Sequence, residues 1–360
     1  MVMILKLTNA KIYNKSHSIN NYIKQLLWFN EYMVLIGNKR LDRGIKMRVI
    51  DLHCDTVMKL MQGREKVNLR KNDFSVDLER LKKSNSMAQF FALFIEKQYV
   101  DNAFEFCMDM ADRIHEEIKN NNEIIKLATN YEELIKNNEE GKISAFLTIE
   151  EGGALKGKIS NLRNFYKLGV RLITLTWNYE NEIGYPNKNI DFINKGLKDF
   201  GLEVVEEMNN LGMVIDVSHL SDGGFYDVAK HSKDPFVASH SNAREICGHR
   251  RNLTDEMIKI LSNKGGVTGI NFERSFLNNE ERSNIEDMLR HINHIYNIGG
   301  IDVIALGTDL DGINSKGIEI DNIGDIHKLS NALLKDGFTE DEVEKIFYKN
   351  AMRLIKDVMK

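Results

Sequence analysis

Six residues able to bind a metal ion or move a proton each close an apolar run. His53 and Asp55 stand in VIDLHCDT, Glu150 ends KISAFLTIE, His219 ends GMVIDVSH, His240 ends PFVASH and Asp309 ends DVIALGTD. His53 and Asp55 are two residues apart, so on a strand both leave the same face and reach one ion. Imidazole and carboxylate suit zinc, and also manganese or iron. Glu150 has two carboxylate oxygens and can bridge two ions. His219 and His240, preceded by Ser218 and Ser239, are candidates for a second ion position. Two ions about 3.5–4 Å apart would hold a hydroxide between them, poised to attack a polarised carbonyl. Asp309 would then take the proton of that water and pass it to the leaving amine. Each residue taken singly has an ordinary structural alternative: a strand-end cap pair, a salt-bridged carboxylate, a hydrogen-bonded core histidine, an acidic turn.

Neighbouring residues compete for these roles. Glu151 adjoins Glu150, and Asp311 lies two residues beyond Asp309, where both carboxylates are expected to face one cavity. Arg250 and Arg251 follow in SHSNAREICGHRRN, with Arg244 nearby. An arginine beside two cations is costly without an anion, and a substrate carboxylate would supply one through two parallel hydrogen bonds. The alternative is a solvated basic helix end.

The elements that must position these residues follow a steady rhythm. RVIDLHCD, FFALFIE, KISAFLTIE, VRLITLTW, GMVIDVSH, PFVASH, GVTGINF and DVIALGTD are short apolar runs, and amphipathic helical stretches follow them. The runs are continuous rather than alternating, as in strands covered on both faces. Eight such units predict a (β/α)₈ TIM barrel, in which the C-terminal strand ends converge on one face. A doubly wound sheet would want a glycine-rich first turn, and HCDTVMKL has none.

The bulk properties exclude several classes. A net charge of −4, with 28% charged and 42% hydrophobic residues, offers no basic stripe for nucleic acid. Cys54, Cys107 and Cys247 are odd in number and widely spaced, which predicts a reducing, cytoplasmic setting. Cys54 is expected to pack away from the ligands, and His249, His291, His294 and His327 to be structural or solvent-facing. QLLWFNEYMVLIG, from Gln25 to Gly37, is too short to span a membrane and contains Glu31. Neither secretion nor anchoring is expected. Residues 1–46 read as an extension of uncertain structure, a short strand pair or a frayed end, and 47–360 as the barrel; Met47 is an alternative start.

IDLHCDT, TIEEGGALKGKISNLRNFYKLGVRLITLTWNYEN, IDVSHLS, SHSNAREICGHRRNLTD and ALGTDLDG together resemble the membrane dipeptidase (renal dipeptidase) family, peptidase M19. The resemblance implies a barrel of the metal-dependent hydrolase type and a soluble, bacterial-type dipeptidase. It implies two Zn²⁺ ions, one on His53 and Asp55 and one on His219 and His240, bridged by Glu150 and a water or hydroxide. Counting back from Leu155, Leu162, Tyr166 and Gly169 assigns the bridge to Glu150 and puts Glu151 where the family usually has glycine. Arg251 matches the residue that holds the substrate's C-terminal carboxylate, and Asp309 the acid that handles protons. Trp177 replaces a histidine of mammalian members, so its indole N–H and Asn178 become the candidate substrate donors. The implied substrates are dipeptides, L,D as well as L,L, and the implied assembly is a homodimer. The alternative is another binuclear-metal amidohydrolase acting on N-acyl amino acids or lactones. Many of those carry HxH on the first strand and a carboxylated lysine as bridge. A barrel that has lost its chemistry is a further alternative, and the complete ligand set argues against it.

Overall fold

Every residue of β1 (Val49–Cys54) and β4 (Ile143–Glu150) is buried, as strands covered on both faces require. The computed structural model describes residues 47–360 apart from 64, 65 and 315. The expectations for residues 1–46 lie outside the described residues. The remaining strands are β2 (Ser86–Phe94), β3 (Ile125–Leu127), β5 (Val170–Thr174), β6 (Val214–Asp216), β7 (Val237–Ala238), β8 (Val267–Ile270) and β9 (Ile304–Leu306). All pairings between them are parallel, in the order β2-β1-β9-β8-β7-β6-β5-β4, and a β2–β4 pairing closes the ring. This is the eight-stranded parallel barrel expected from the sequence, with a helix after each barrel strand.

β3 is an addition that the eight-run reading misses. It pairs with Ile143–Ala145 of β4, on the edge that β5 uses further along at Leu147–Glu150. Three residues are too few to show a periodicity, and the run follows directly on the helix Ala103–Asn120.

Side chains from all eight barrel strands meet in one apolar cluster, among them Ile50, Phe90, Phe146, Leu172, Val214 and Val267. Strands of a closed ring can touch in this way only through its interior. Leu354, Ile355 and Val358 of the last helix, Asn350–Val358, join the cluster and plug that end. A larger cluster lies between the strands and the helices around them. Buried Cys54 belongs to it, its thiol 3.4 Å from the Phe90 carbonyl oxygen, and the three cysteines are free. Among the described residues no helix is long and apolar enough to cross a membrane.

Several strands stop earlier than their apolar runs suggest. β5 ends at Thr174 rather than Trp177, β6 at Asp216 rather than His219, and β9 at Leu306 rather than Asp309. Asp216 explains one of these ends. Its Oδ1 accepts from the backbone N–H of Ser218 at 2.9 Å and of Ser239 at 2.8 Å, capturing amides that would otherwise extend the ladder. His219 and Asp309 then adopt left-handed conformations with φ of 67° and 62°. Such backbone is uncommon for residues other than glycine and concentrates at functional sites.

Candidate active site

The ends of β1, β4, β6, β7 and β9 bring His53, Asp55, Glu150, His219, His240 and Asp309 together. Glu150 is the centre. Its Oε2 lies 3.2 Å from His53 Nε2, and its Oε1 lies 3.1 Å from His219 Nε2 and 3.5 Å from His240 Nε2. Asp55 Oδ2 stands 3.4 Å from His53 Nε2, and Asp309 Oδ1 stands 3.9 Å from it. All six residues are buried.

The hydrogen bonds around the histidines decide which nitrogen faces inward. Ser239 Oγ donates to Asp216 Oδ2 at 2.5 Å, so it accepts from His240 Nδ1 at 2.7 Å. Asn178 Oδ1 lies 3.2 Å from His219 Nδ1 and, being an acceptor, takes the proton there. Both rings therefore turn an Nε2 lone pair toward Glu150. These two nitrogens are 3.1 Å apart with no proton between them, a repulsive contact unless a cation lies beside it. Among the described residues, neither ring nitrogen of His53 has a hydrogen-bond partner, and Asp55 Oδ1 has none. Ligand atoms about 2.0–2.1 Å from a tetrahedral ion stand roughly 3.3 Å from one another. The separations here, 3.1–3.5 Å, match that spacing. Two overlapping sets, His53 with Asp55 and Glu150, and Glu150 with His219 and His240, have the form of a binuclear metal centre.

The charges agree with this arrangement. Burial, reinforced by Arg251, pushes His219 down to about 3, and burial with the charge of His53 holds His240 well below the usual histidine range. Burial also disfavours the charged form of His53, but Glu150 and Asp55 outweigh it and raise His53 well above that range. Burial and the neighbouring Glu150 push Asp55 up to about 6. Burial lifts Asp309 well above the carboxylate range, against the pull of His53 and aided by Asp55 and Glu150. Crowded buried carboxylates, facing the unprotonated imidazoles of His219 and His240 and drawing a proton onto His53, are the electrostatics of a cation site.

Asp309 is steered by Asn271, whose Nδ2 donates to Asp309 Oδ2 at 2.8 Å and to the His240 carbonyl oxygen at 3.1 Å. Asp311 does not join the site as expected. With φ of 71° it turns away, accepting from Thr56 Oγ1 and the Ser75 N–H, each at 2.7 Å. Gly312 leaves the needed space: a Cβ there would lie 1.9 Å from Asp55 Oδ2. Asp51 is a further buried support, accepting from the Thr308 N–H and Oγ1, each at 2.8 Å, and thereby tying β1 to the chain beyond β9. Sequence reasoning missed Asn271, Asp216 and Asp51 as positioning residues. Asn271 carried the usable signal, because it too follows an apolar run.

The three arginines separate clearly. Arg244 is held by Asp222 through bonds of 2.6 and 2.8 Å. Arg250 is exposed. Arg251 is buried; its terminal nitrogens donate to Ser241 Oγ and the His240 carbonyl oxygen, each at 3.2 Å, and its Nε has no partner among the described residues. Arg251, His219, Asn178 and Phe276 line a cavity of 530 Å³. The Trp177 ring is 6.2 Å from the His219 ring and 4.9 Å from Phe94. Glu151 sits apart from the ligands. At φ of 103° its carboxylate accepts from the N–H groups of Gly153 at 2.6 Å and Trp177 at 2.8 Å, and from Asn181. It thereby anchors the loop that carries Trp177. His291 is structural, bound to the Ala243 N–H at 3.1 Å and the Leu277 carbonyl at 3.0 Å.

The family model described as Membrane dipeptidase (Peptidase family M19) matches residues 43–360. The chain belongs to this family. An uncharacterized dipeptidase of Schizosaccharomyces pombe is 30% identical over 339 residues, covering 86% of this chain and 80% of its own length. An uncharacterized protein in the pqqA 5′ region of Klebsiella pneumoniae is 35% identical over 229 residues, 61% of this chain and 84% of that protein. Among solved structures, a metallo peptidase from Rhodobacter sphaeroides liganded with a phosphinate mimic of the dipeptide L-Ala-D-Ala superposes with a TM-score of 0.81. It is 24% identical, covering 87% of this chain and 99% of that one. The membrane dipeptidase fold therefore runs through all the described residues.

Proposed function

We propose that this chain is a zinc-dependent dipeptidase that hydrolyses the amide bond of L,L and L,D dipeptides. The observation that carries the reading is Glu150, whose two oxygens face two different ligand sets at 3.2 and 3.1 Å. When bound, two ions supply a nucleophile from water at neutral pH and polarise the scissile carbonyl. His53 and Asp55 would hold one ion and His219 and His240 the other, with Glu150 within reach of both sets.

The rest of the work belongs to the surrounding side chains. Arg251 has a buried guanidinium with a free Nε on the cavity wall and takes the substrate's terminal carboxylate. This contact fixes the distance from the carboxylate to the amide, which selects the C-terminal peptide bond for cleavage. Asn271 holds one oxygen of Asp309, so the other faces the ligand cluster. A carboxyl group raised by burial both accepts a proton and returns it to the departing amine. Asn178 fixes the His219 tautomer and forms part of the wall against which the substrate lies, near the Trp177 ring. Residues 47–360 form the catalytic domain, with 1–46 an extension to it. A cytoplasmic homodimer completes the reading; light scattering and cell fractionation test those two points.

The deciding experiment counts metal by mass spectrometry and assays one L,L and one L,D dipeptide on the same preparation. The expected result is two equivalents of zinc, with cleavage lost on chelation and restored by zinc. Two metals without cleavage of either dipeptide would refute the substrate class. No metal after zinc is returned would refute the mechanism.

A further inference from the structure

The cavity beyond the ligand cluster carries more positive charge than the backbone of a dipeptide can use. Lys188, Arg250 and Arg251 all line it, and among its lining residues there is no carboxylate. A dipeptide has one backbone carboxylate, and Arg251 takes it. Arg244, close by in sequence, is not spare, because Asp222 neutralises it. Arg250 differs. Among the described residues its guanidinium donates to a neutral acceptor, the Lys188 carbonyl oxygen at 2.5 Å, and to no carboxylate. That bond ties together the two loops bearing the extra charges. The two side chains stand on the same wall and keep their charges available to a ligand.

A further feature suits an anionic side chain with methylene groups. Phe276 forms an apolar shelf, with the Arg251 guanidinium 5.2 Å from its ring centre and the His249 ring at 4.5 Å. Burial and the charges of Arg251 and Arg250 also keep His249 below the usual histidine range, so it stays neutral while its neighbours set a positive field.

The geometry points to a subsite for an acidic side chain: the preferred dipeptides carry Asp or Glu at the C-terminal position. The residue whose backbone carboxylate sits on Arg251 must place its side chain in this same cavity, where Lys188 and Arg250 meet a second carboxylate. The inference rests on the dipeptidase reading and specifies its substrate class.

The test compares isosteric acid and amide substrates on the zinc-loaded, full-length enzyme. L-Ala-L-Glu is set against L-Ala-L-Gln, and L-Ala-D-Glu against L-Ala-D-Gln, with Ala-Ala dipeptides alongside. The expected Glu-to-Gln ratio of kcat/KM is about tenfold in at least one stereochemical series, the order for two solvent-accessible ion pairs. It falls toward one as salt is raised and in the double variant Lys188→Gln, Arg250→Gln. The ratio is internal to each variant, so any general loss of activity cancels. Cleavage of Ala-Ala with a ratio of one or less in both series overturns the subsite and leaves the dipeptidase reading standing. A preference that survives unchanged in the double variant also overturns it. No cleavage of any dipeptide overturns both.

Discussion

Ser239→Ala removes one oxygen and no backbone support, so its effect falls on a single ligand. Ser239 Oγ accepts from His240 Nδ1 at 2.7 Å and donates to Asp216 Oδ2 at 2.5 Å. Without it Asp216 keeps the Thr174 hydroxyl at 2.6 Å and the backbone N–H groups of Ser218 and Ser239. The strand ends therefore stay where they are. His240 is fully buried, and its Nδ1–H loses its acceptor. An unsatisfied buried donor costs about 1–3 kcal/mol. Loss of the outer partner of a metal-binding histidine costs about 10–100-fold in affinity, or roughly 1.4–2.7 kcal/mol. The two routes agree. Titration against a chromophoric chelator should find one of two ions weakened by that factor, with the circular dichroism spectrum unchanged. Both ions held within about threefold of wild type would refute the claim that Ser239 sets the His240 ring.

Three other outcomes follow from the geometry. Gly312→Ala puts a methyl group 1.9 Å from Asp55 Oδ2 and 2.7 Å from Asp309 Oδ1. Displacing either carboxylate by about 1 Å should cost about 100-fold in kcat/KM, with metal content reduced; near-normal values would show that the loop yields. In the chelated protein Asp55 sits at about 6, raised above its ordinary value of 3.8, so its contribution is most favourable below about pH 4 and is lost as pH rises through 6. Asp55→Asn should therefore stabilise the metal-free protein at pH 8, by at most about 3 kcal/mol, and give no gain at pH 4. Thermal melts at the two pH values check this, and an equal gain at both would contradict it. Glu151→Ala deletes the acceptor for the Trp177 backbone N–H and should alter Trp177 fluorescence and raise KM more than it lowers kcat; an unchanged spectrum and KM would mean the loop holds itself.

Much of this was legible in the sequence because its signals are local. Continuous apolar runs mark strands buried on both faces, and the histidines and carboxylates that close five of them mark one face of the barrel. Eight such runs were enough for the architecture, and the ligand types His53, Asp55, Glu150, His219 and His240 stood out against aliphatic neighbours. β3 was missed because three residues carry no period.

The tertiary structure decided between adjacent candidates of the same chemistry. Alternation predicted that Asp309 and Asp311 share a face, but both adopt positive φ beyond the last ladder pair, and alternation ends where the strand ends. Arg251 is buried in the cavity wall while Arg244 is spent on Asp222, a residue 22 positions away. The protonation pattern depended most on long-range contacts. Asp216 reaches Ser239 across 23 residues, and Asn271 reaches Asp309 across 38. Composition and spacing marked the candidate ligands, and the family resemblance chose Glu150 over Glu151. Which nitrogen or oxygen each one presents depended on partners brought in by other strands, and only closure of the barrel puts them within hydrogen-bonding reach.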